Sequence, residues 1–414
     1  MKFTCSVSAL REALVIANYT LDKRKDSEGS LLYLESVAGK KPRVFMFSTC
    51  ATAMTLLRVA ATVERPGNIL IQPRLLEPVL ATLPPEEEVT FERKEDKDFL
   101  SMKAGKVHIK RLPSGGSTDL MKDLIKCLPL TATGMITIPV PKLRDVIDRT
   151  LTFAYKGEDY NGMQNLFLQI AAKKLEAYTT NRNVLAHASI ELDTDQALEV
   201  NIPAKSVPAM KSILQKIARQ EQPDGKEPEV RILVGTNSDG QPSKFFVRTD
   251  DVFYGGVLCG YQFPKSAIGG DSKLKIESTV MLNREEFLGA LNRAKPFCKD
   301  QKWVDVELKD NAMTLKAGGE QGEYEDQIAG YGKNTGEGST TLNSEFLIGA
   351  LSAAKEEIVN FHFTTVARAV YMESGIETKG RSSYVMSTAK ADKAPAKPVA
   401  SAPAAAPEPV AAAA

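Results

Sequence analysis

Residues able to do chemistry are sparse in this sequence. Its three histidines, His108, His187 and His362, stand far apart and never at the spacing that zinc ligands need. The glycine–lysine pairs at 39–40, 105–106 and 225–226 lack the second glycine and the hydroxyl residue of a phosphate-cradling loop. The five cysteines, Cys5, Cys50, Cys127, Cys259 and Cys298, are odd in number and never form a CxxC pair. They read as free thiols of a reducing compartment. Carboxylates abound, yet no two are set apart as an acid and a base. The expectation is a protein that catalyses nothing and carries neither metal nor organic cofactor.

The legible pattern is cationic. Between Lys205 and Arg219, Val207, Met210, Leu214 and Ile217 follow the three-and-four spacing of a buried helical stripe. Lys205, Lys216 and Arg219 project roughly opposite, Lys211 stands at the flank, and no acidic residue interrupts the run. Lys142, Arg144 and Arg149 decorate a second candidate helix, and Arg293 and Lys295 a third. Cations arranged this way track phosphates, which gives sequence-independent and salt-dependent contact. Few aromatic residues accompany them, so duplex DNA fits better than stacking on a single strand. The formal net charge is only +1, so any such contact is confined to one face. The plainer alternative is a set of solvated helix faces, but the same bias in three helices favours the phosphate reading.

Those helices belong to a repeated unit. Three segments run from a short strand into an amphipathic helix: Phe3 to Leu21, Ile136 to Ala154, and Val280 to Cys298, with Leu10, Leu143 and Phe287 in matching places. A second strand–helix pair follows in each unit, from Ile69, Glu199 and Ser339, with Leu76, Val207 and Leu347 equivalent. Asn283 and Glu286 have the spacing of a capping box, and Pro141 suits a first helical turn. Between the helices lie β-like runs such as RVFMFST, LEAYTT and VNFHF. Each unit is therefore expected to hold two helices and roughly eight strands in an α+β arrangement. The units are 1–130, 131–272 and 273–390, and the Ala/Pro-rich stretch 391–414 is expected to be disordered. No signal peptide or apolar run of about 18 residues is evident, so a cytoplasmic protein without membrane contact is expected.

With these features the chain resembles the DNA polymerase III beta subunits, the bacterial beta sliding clamps, over about residues 1–390. Tyr160-Asn161-Gly162-Met163 is similar to the family's tyrosine–leucine–asparagine–glycine–methionine run, and Leu175 to Thr180 to the strand after it. Gly260-Tyr261-Gln262-Phe263-Pro264 resembles its glycine–arginine–phenylalanine–proline element, Asn343 to Lys355 its last inner helix, and Tyr384-Val385-Met386 its terminal strand. The resemblance implies three clamp domains per chain and two chains joined head to tail into a ring, first domain to third, with helices lining the hole. It implies a processivity subunit that encircles duplex DNA, is placed there by a separate clamp loader, and tethers the replicative polymerase and other clamp-binding proteins.

By position, Lys23, Arg24 and Lys25 would form a DNA-touching loop. Tyr160, Thr180, Leu185, Pro264, Ile268, Val385 and Met386 would form a pocket for a partner's short peptide. The chain departs from the family at Asn181-Arg182-Asn183-Val184, where the family has aspartate–glycine–histidine–arginine. It departs again at Glu158-Asp159, near the place of a family arginine, and at Ser387 to Lys390, where the family ends in methionine–proline–methionine–arginine–leucine. The alternative reading is a repeat-built peptide-binding scaffold that does not encircle DNA. A base-reading regulator ranks last, because no helix-turn-helix or zinc-finger pattern is present.

Overall fold

The computed structural model describes all residues except 23–29, 95–96, 130–134, 158–162, 220–226, 259–262, 265–273, 299–301, 320–321, 365–368, 377 and 389–414. The expected unit boundaries near 130 and 272, and the Ala/Pro stretch, lie outside the described residues.

Three strand–helix units follow one another. The first runs β1 (Lys2–Ser6), α1 (Val7–Asn18), β2 (Leu32–Val37), β3 (Arg43–Thr49), β4 (Ala53–Ala60), β5 (Thr62–Arg65), β6 (Gly67–Ile71), α2 (Glu77–Thr82), β7 (Glu88–Glu92), β8 (Phe99–Ala104), β9 (Val107–Pro113) and α3 (Asp119–Lys126). The second runs β10 (Ile136–Pro139), α4 (Val140–Thr150), β11 (Asn165–Ala171), β12 (Lys174–Thr180), β13 (Val184–Glu191), β14 (Leu198–Pro203), α5 (Val207–Arg219), β15 (Glu229–Thr236), β16 (Pro242–Arg248) and β17 (Val252–Val257). The third runs β18 (Ile276–Asn283), α6 (Arg284–Ala294), β19 (Trp303–Lys309), β20 (Ala312–Gly319), β21 (Gly322–Ala329), β22 (Tyr331–Thr335), β23 (Gly338–Asn343), α7 (Ser344–Ala353), β24 (Ile358–Thr364), β25 (Ala369–Ile376) and β26 (Gly380–Ser387).

The helices start where the sequence supplies partners for orphan backbone donors. Ser6 accepts from the Ala9 amide, Asn283 from those of Glu285 and Glu286, and Asn343 from that of Glu345. Pro141 lies in the first turn of α4, where its missing N–H breaks no bond. α3 was not anticipated. Its eight residues are too short to show a clear period, yet Met121 packs into a cluster with Tyr33, Phe47, Leu56, Leu70, Phe246 and Phe253.

Among the described residues four antiparallel sheets result. An eight-stranded sheet, ordered β10-β15-β16-β17-β4-β3-β2-β6, spans the first and second units, and a nine-stranded one, β14-β11-β12-β13-β26-β25-β24-β18-β22, spans the second and third. The seams have one plan. β17 pairs with β4 from Val252↔Leu57 to Gly256↔Ala53, and β26 pairs with β13 from Ser189↔Arg381 to Val184↔Met386. The remaining sheets, β5-β1-β7-β8-β9 and β21-β20-β19-β23, belong to the first and third units alone. Apart from α3, these helices lie side by side in the order α2, α1, α5, α4, α7, α6. One apolar core runs beneath the helices of the first two units and another beneath those of the third. Among the described residues no helix is long and apolar enough to cross a membrane, and no group of His, Cys, Asp or Glu could hold a metal ion. The four described cysteines, Cys5, Cys50, Cys127 and Cys298, are free thiols.

Candidate nucleic-acid interface and peptide groove

The apolar stripe of α5, with Val207, Met210, Ile213, Leu214 and Ile217, is buried as its period requires. That orientation leaves Arg219 exposed and Lys216 half-buried, while Lys205 is exposed in the turn just before the helix. Arg144 on α4 is half-buried and Lys295, after α6, is exposed. Other cations of the layer are engaged. Lys142 donates to the Glu191 carbonyl at 2.8 Å, and Lys211 sits 2.6 Å from Asp148. Arg293 lies 2.6 Å from Asp326 and, with Tyr324, holds that carboxyl below its ordinary range by hydrogen bonding. In the first unit α1 presents Val15 to solvent, the next residue after the helix, Tyr19, is exposed too, and Arg11 donates to the Ala81 carbonyl. Free positive charge in the described helical layer is therefore concentrated around α5. Lys23, Arg24 and Lys25 lie outside the described residues.

Arg149 is a correction. The sequence suggested a surface cation, but its side chain is only 2% exposed. Nε donates to Asp145 Oδ2 at 2.7 Å, and the two terminal nitrogens grip Glu356 at 2.9 and 2.7 Å. Lys355 adds a 2.6 Å contact to Asp145. Burial alone would favour the neutral guanidine, but the hydrogen bonds and charges of Glu356 and Asp145 outweigh it and hold Arg149 firmly cationic. Burial likewise opposes ionisation of Glu356, yet hydrogen bonds from Arg149 and Ser374 pull its carboxyl down to about 2. This network ties α4 of the second unit to the third, and it cannot reach DNA.

The expected pocket residues partly converge. Thr180, Leu185 and Val385 are successive register partners across β12, β13 and β26, so they form one row on one sheet face. Leu185 packs against Phe167, Tyr178 and Phe263, and Pro264 follows Phe263 in the chain. The Asn201 side chain accepts the Phe263 amide at 3.3 Å and so fixes that segment. Met386 is a second correction. It follows Val385 in the strand and so faces the opposite side, where it is fully buried in the third unit's core. Tyr160 and Ile268 lie outside the described residues.

The divergent turn has its own bonding. Thr180 Oγ1 donates to the Val184 carbonyl at 2.9 Å, and Asn181 Oδ1 accepts from the Asn183 and Val184 amides. His187, isolated in the sequence, stacks on Tyr178 with ring centroids 4.3 Å apart and lies 3.2 Å from Glu176. Its hydrogen bond to Glu176 lowers that carboxyl's pKa despite burial.

Comparison with known proteins sets this geometry in a family of shapes. No family model matches the sequence. The beta sliding clamp of Bacillus subtilis (strain 168) is 25% identical over 252 residues, which span 60% of this chain and 60% of that protein. The solved B. subtilis sliding clamp superposes with a TM-score of 0.77 at 17% identity, covering 94% of this chain and 99% of the other. The sliding clamp of Pseudomonas aeruginosa gives 0.76 at 18%, covering 94% and 99%. The Streptococcus pyogenes beta subunit gives 0.76 at 17%, covering 94% and 100%. The chain has the sliding-clamp fold, as the three-unit α+β reading anticipated.

Proposed function

We propose that this chain, which has the fold of the bacterial beta sliding clamps, is a non-catalytic DNA sliding clamp: two copies close a ring around duplex DNA and tether polymerases through the groove beside Leu185 and Val385. The observation that carries the reading is the pairing rule at the seams. The last strand of the second unit, β17, lies on β4 of the first, and the last strand of the third, β26, lies on β13 of the second. The same rule would lay β9, the last strand of the first unit, on β21 of a third unit. Among the described residues these two strands are the outer edges of separate sheets, and a second copy would supply the partner that each lacks.

The edges suit each other. Exposed Val107, His108, Lys110 and Arg111 line β9, whereas β21 exposes Glu323 and Glu325 and also carries Asp326, which contacts Arg293 of α6. A long exposed edge is a template for pairing, and opposite charge favours the head-to-tail match while like charge opposes pairing of identical edges. Two such contacts related by a two-fold axis close a ring. The row of helices then faces the hole, with the uncommitted cations of α5 opposite the phosphates. An ordinary scaffold gives that face no role.

Charge exchange tests this. A Lys110→Glu/Arg111→Glu chain and a Glu323→Lys/Glu325→Lys chain should each sediment as monomers where the unaltered protein is a dimer. Mixed one to one they should form a dimer, since both seams are then complementary. Dimers of either variant alone, or none on mixing, would count against ring closure through β9 and β21.

A further inference from the structure

Arg149 is the largest fully buried side chain among the described residues and takes no part in the DNA surface. We propose that it is a positioning residue for the peptide groove, linking the helical layer to the strands that carry Leu185, Val385 and Thr180; the inference rests on that groove being a partner site.

The link is made by side chain and backbone together. The guanidinium spans from Asp145 on α4 to Glu356 after α7, and Ser382 of β26 stands 3.4 Å away. The carbonyl of Arg149 itself accepts the Tyr384 hydroxyl at 3.0 Å, and the next carbonyl, that of Thr150, accepts the Thr179 hydroxyl at 2.5 Å. Phe153, just beyond α4, packs its ring 5.7 Å from that of Tyr384. Thr179, Ala186 and Tyr384 form a buried row across β12, β13 and β26, and the adjacent row on the other face is Thr180, Leu185 and Val385. The end of α4 thus holds the inner row, and the outer row is the groove wall.

Gly380, where β26 begins, confirms how closely the network fits. Its φ is +98°, and a Cβ there would stand 2.5 Å from Asp145 Oδ2. Without the Arg149 side chain the Glu356 carboxylate would lose its bidentate partner, and β26 would lose its side-chain contact with α4 at Ser382, leaving the Tyr384 hydroxyl on the Arg149 carbonyl as its hydrogen bond to that helix. The β13–β26 ladder keeps Leu185 beside Val385, so what loosens is the seating of that row against the end of α4. Nothing in this path touches the peptide.

The test measures binding of a fluorescein-labelled synthetic peptide ending in Leu-Phe to full-length protein by anisotropy, below the melting temperature of every variant. Arg149→Gln and Tyr384→Phe should each weaken binding about five- to tenfold, the scale of one lost buried hydrogen bond. Lys355→Ala loosens the same seam at Asp145 without touching β26 and should bind as the unaltered protein does. Should Arg149→Gln not fold, Tyr384→Phe decides alone. Unaltered affinity in Tyr384→Phe, or affinity that merely follows melting temperature across all variants, would overturn the coupling. If the unaltered protein binds no peptide, the groove itself falls and the coupling with it.

Discussion

Removing the uncommitted cations around α5 should change how DNA binding responds to salt more than how the protein folds. Lys205, Lys216 and Arg219 have no carboxylate partner among the described residues, and their solvent-facing positions leave the buried stripe of α5 untouched. Each phosphate neutralised contributes about 0.9 to the slope of log K against log salt. A triple alanine variant should therefore flatten the slope by up to about 2.7 per protomer engaged. Between 50 and 200 mM salt that corresponds to roughly a fortyfold smaller loss of affinity. The assay is equilibrium binding to a short labelled duplex across that salt range, with melting temperature as the folding control. Lys211→Ala and Arg293→Ala should flatten the slope less, because Asp148 and Asp326 already hold those charges at 2.6 Å. A triple variant with an unchanged slope would refute the assignment of α5 as the DNA-facing helix.

Two further outcomes follow from buried groups. Glu356 ionises at about 2 in the folded protein, below the ordinary carboxylate value, so its contribution to stability is complete above about pH 4.5 and is lost as pH falls towards 2. Arg149→Met, which strands the Glu356 carboxylate, should cost roughly 3–5 kcal/mol near neutrality and less in acid, as read by urea unfolding at pH 7 and pH 3. Cys5 is buried, and burial with the nearby Glu88 charge pushes its thiol up to about 12. It should resist a thiol reagent at pH 8 while exposed Cys127 reacts readily, and equal rates in mass-spectrometric labelling would contradict this.

The architecture was legible because it is periodic. Helix stripes such as Val207–Ile217 and alternating runs such as those of β3 and β12 repeat in order, and repetition exposes the units even where identity is lost. Among the strands the sequence reading does not pick out are β4 and β13, each half of a seam between units, which are largely buried on both faces, and burial on both faces blurs the alternation. Site residues followed the same divide. Lys205 lies exposed in the turn before α5, whereas Lys216 and Arg219 stand where the helix period puts them. Arg149 did not, because its partner Glu356 is 207 residues away and no local pattern announces it. Met386 stands one step along the strand from Val385, which is enough to turn its side chain from the face that carries Leu185 into the core. His187 and the aromatic floor of Phe167, Tyr178 and Phe263 meet only after three strands and a distant segment assemble.

The central claim is topological, and one experiment addresses it directly. The protein is placed on nicked circular duplex DNA by its cognate clamp loader, and its retention is measured by gel filtration before and after a single cut. A closed ring stays on the circle through washes at raised salt and is lost once the cut gives it an end to slide from. Retention unchanged by cutting would mean ordinary surface binding, and the ring around DNA would have to be abandoned.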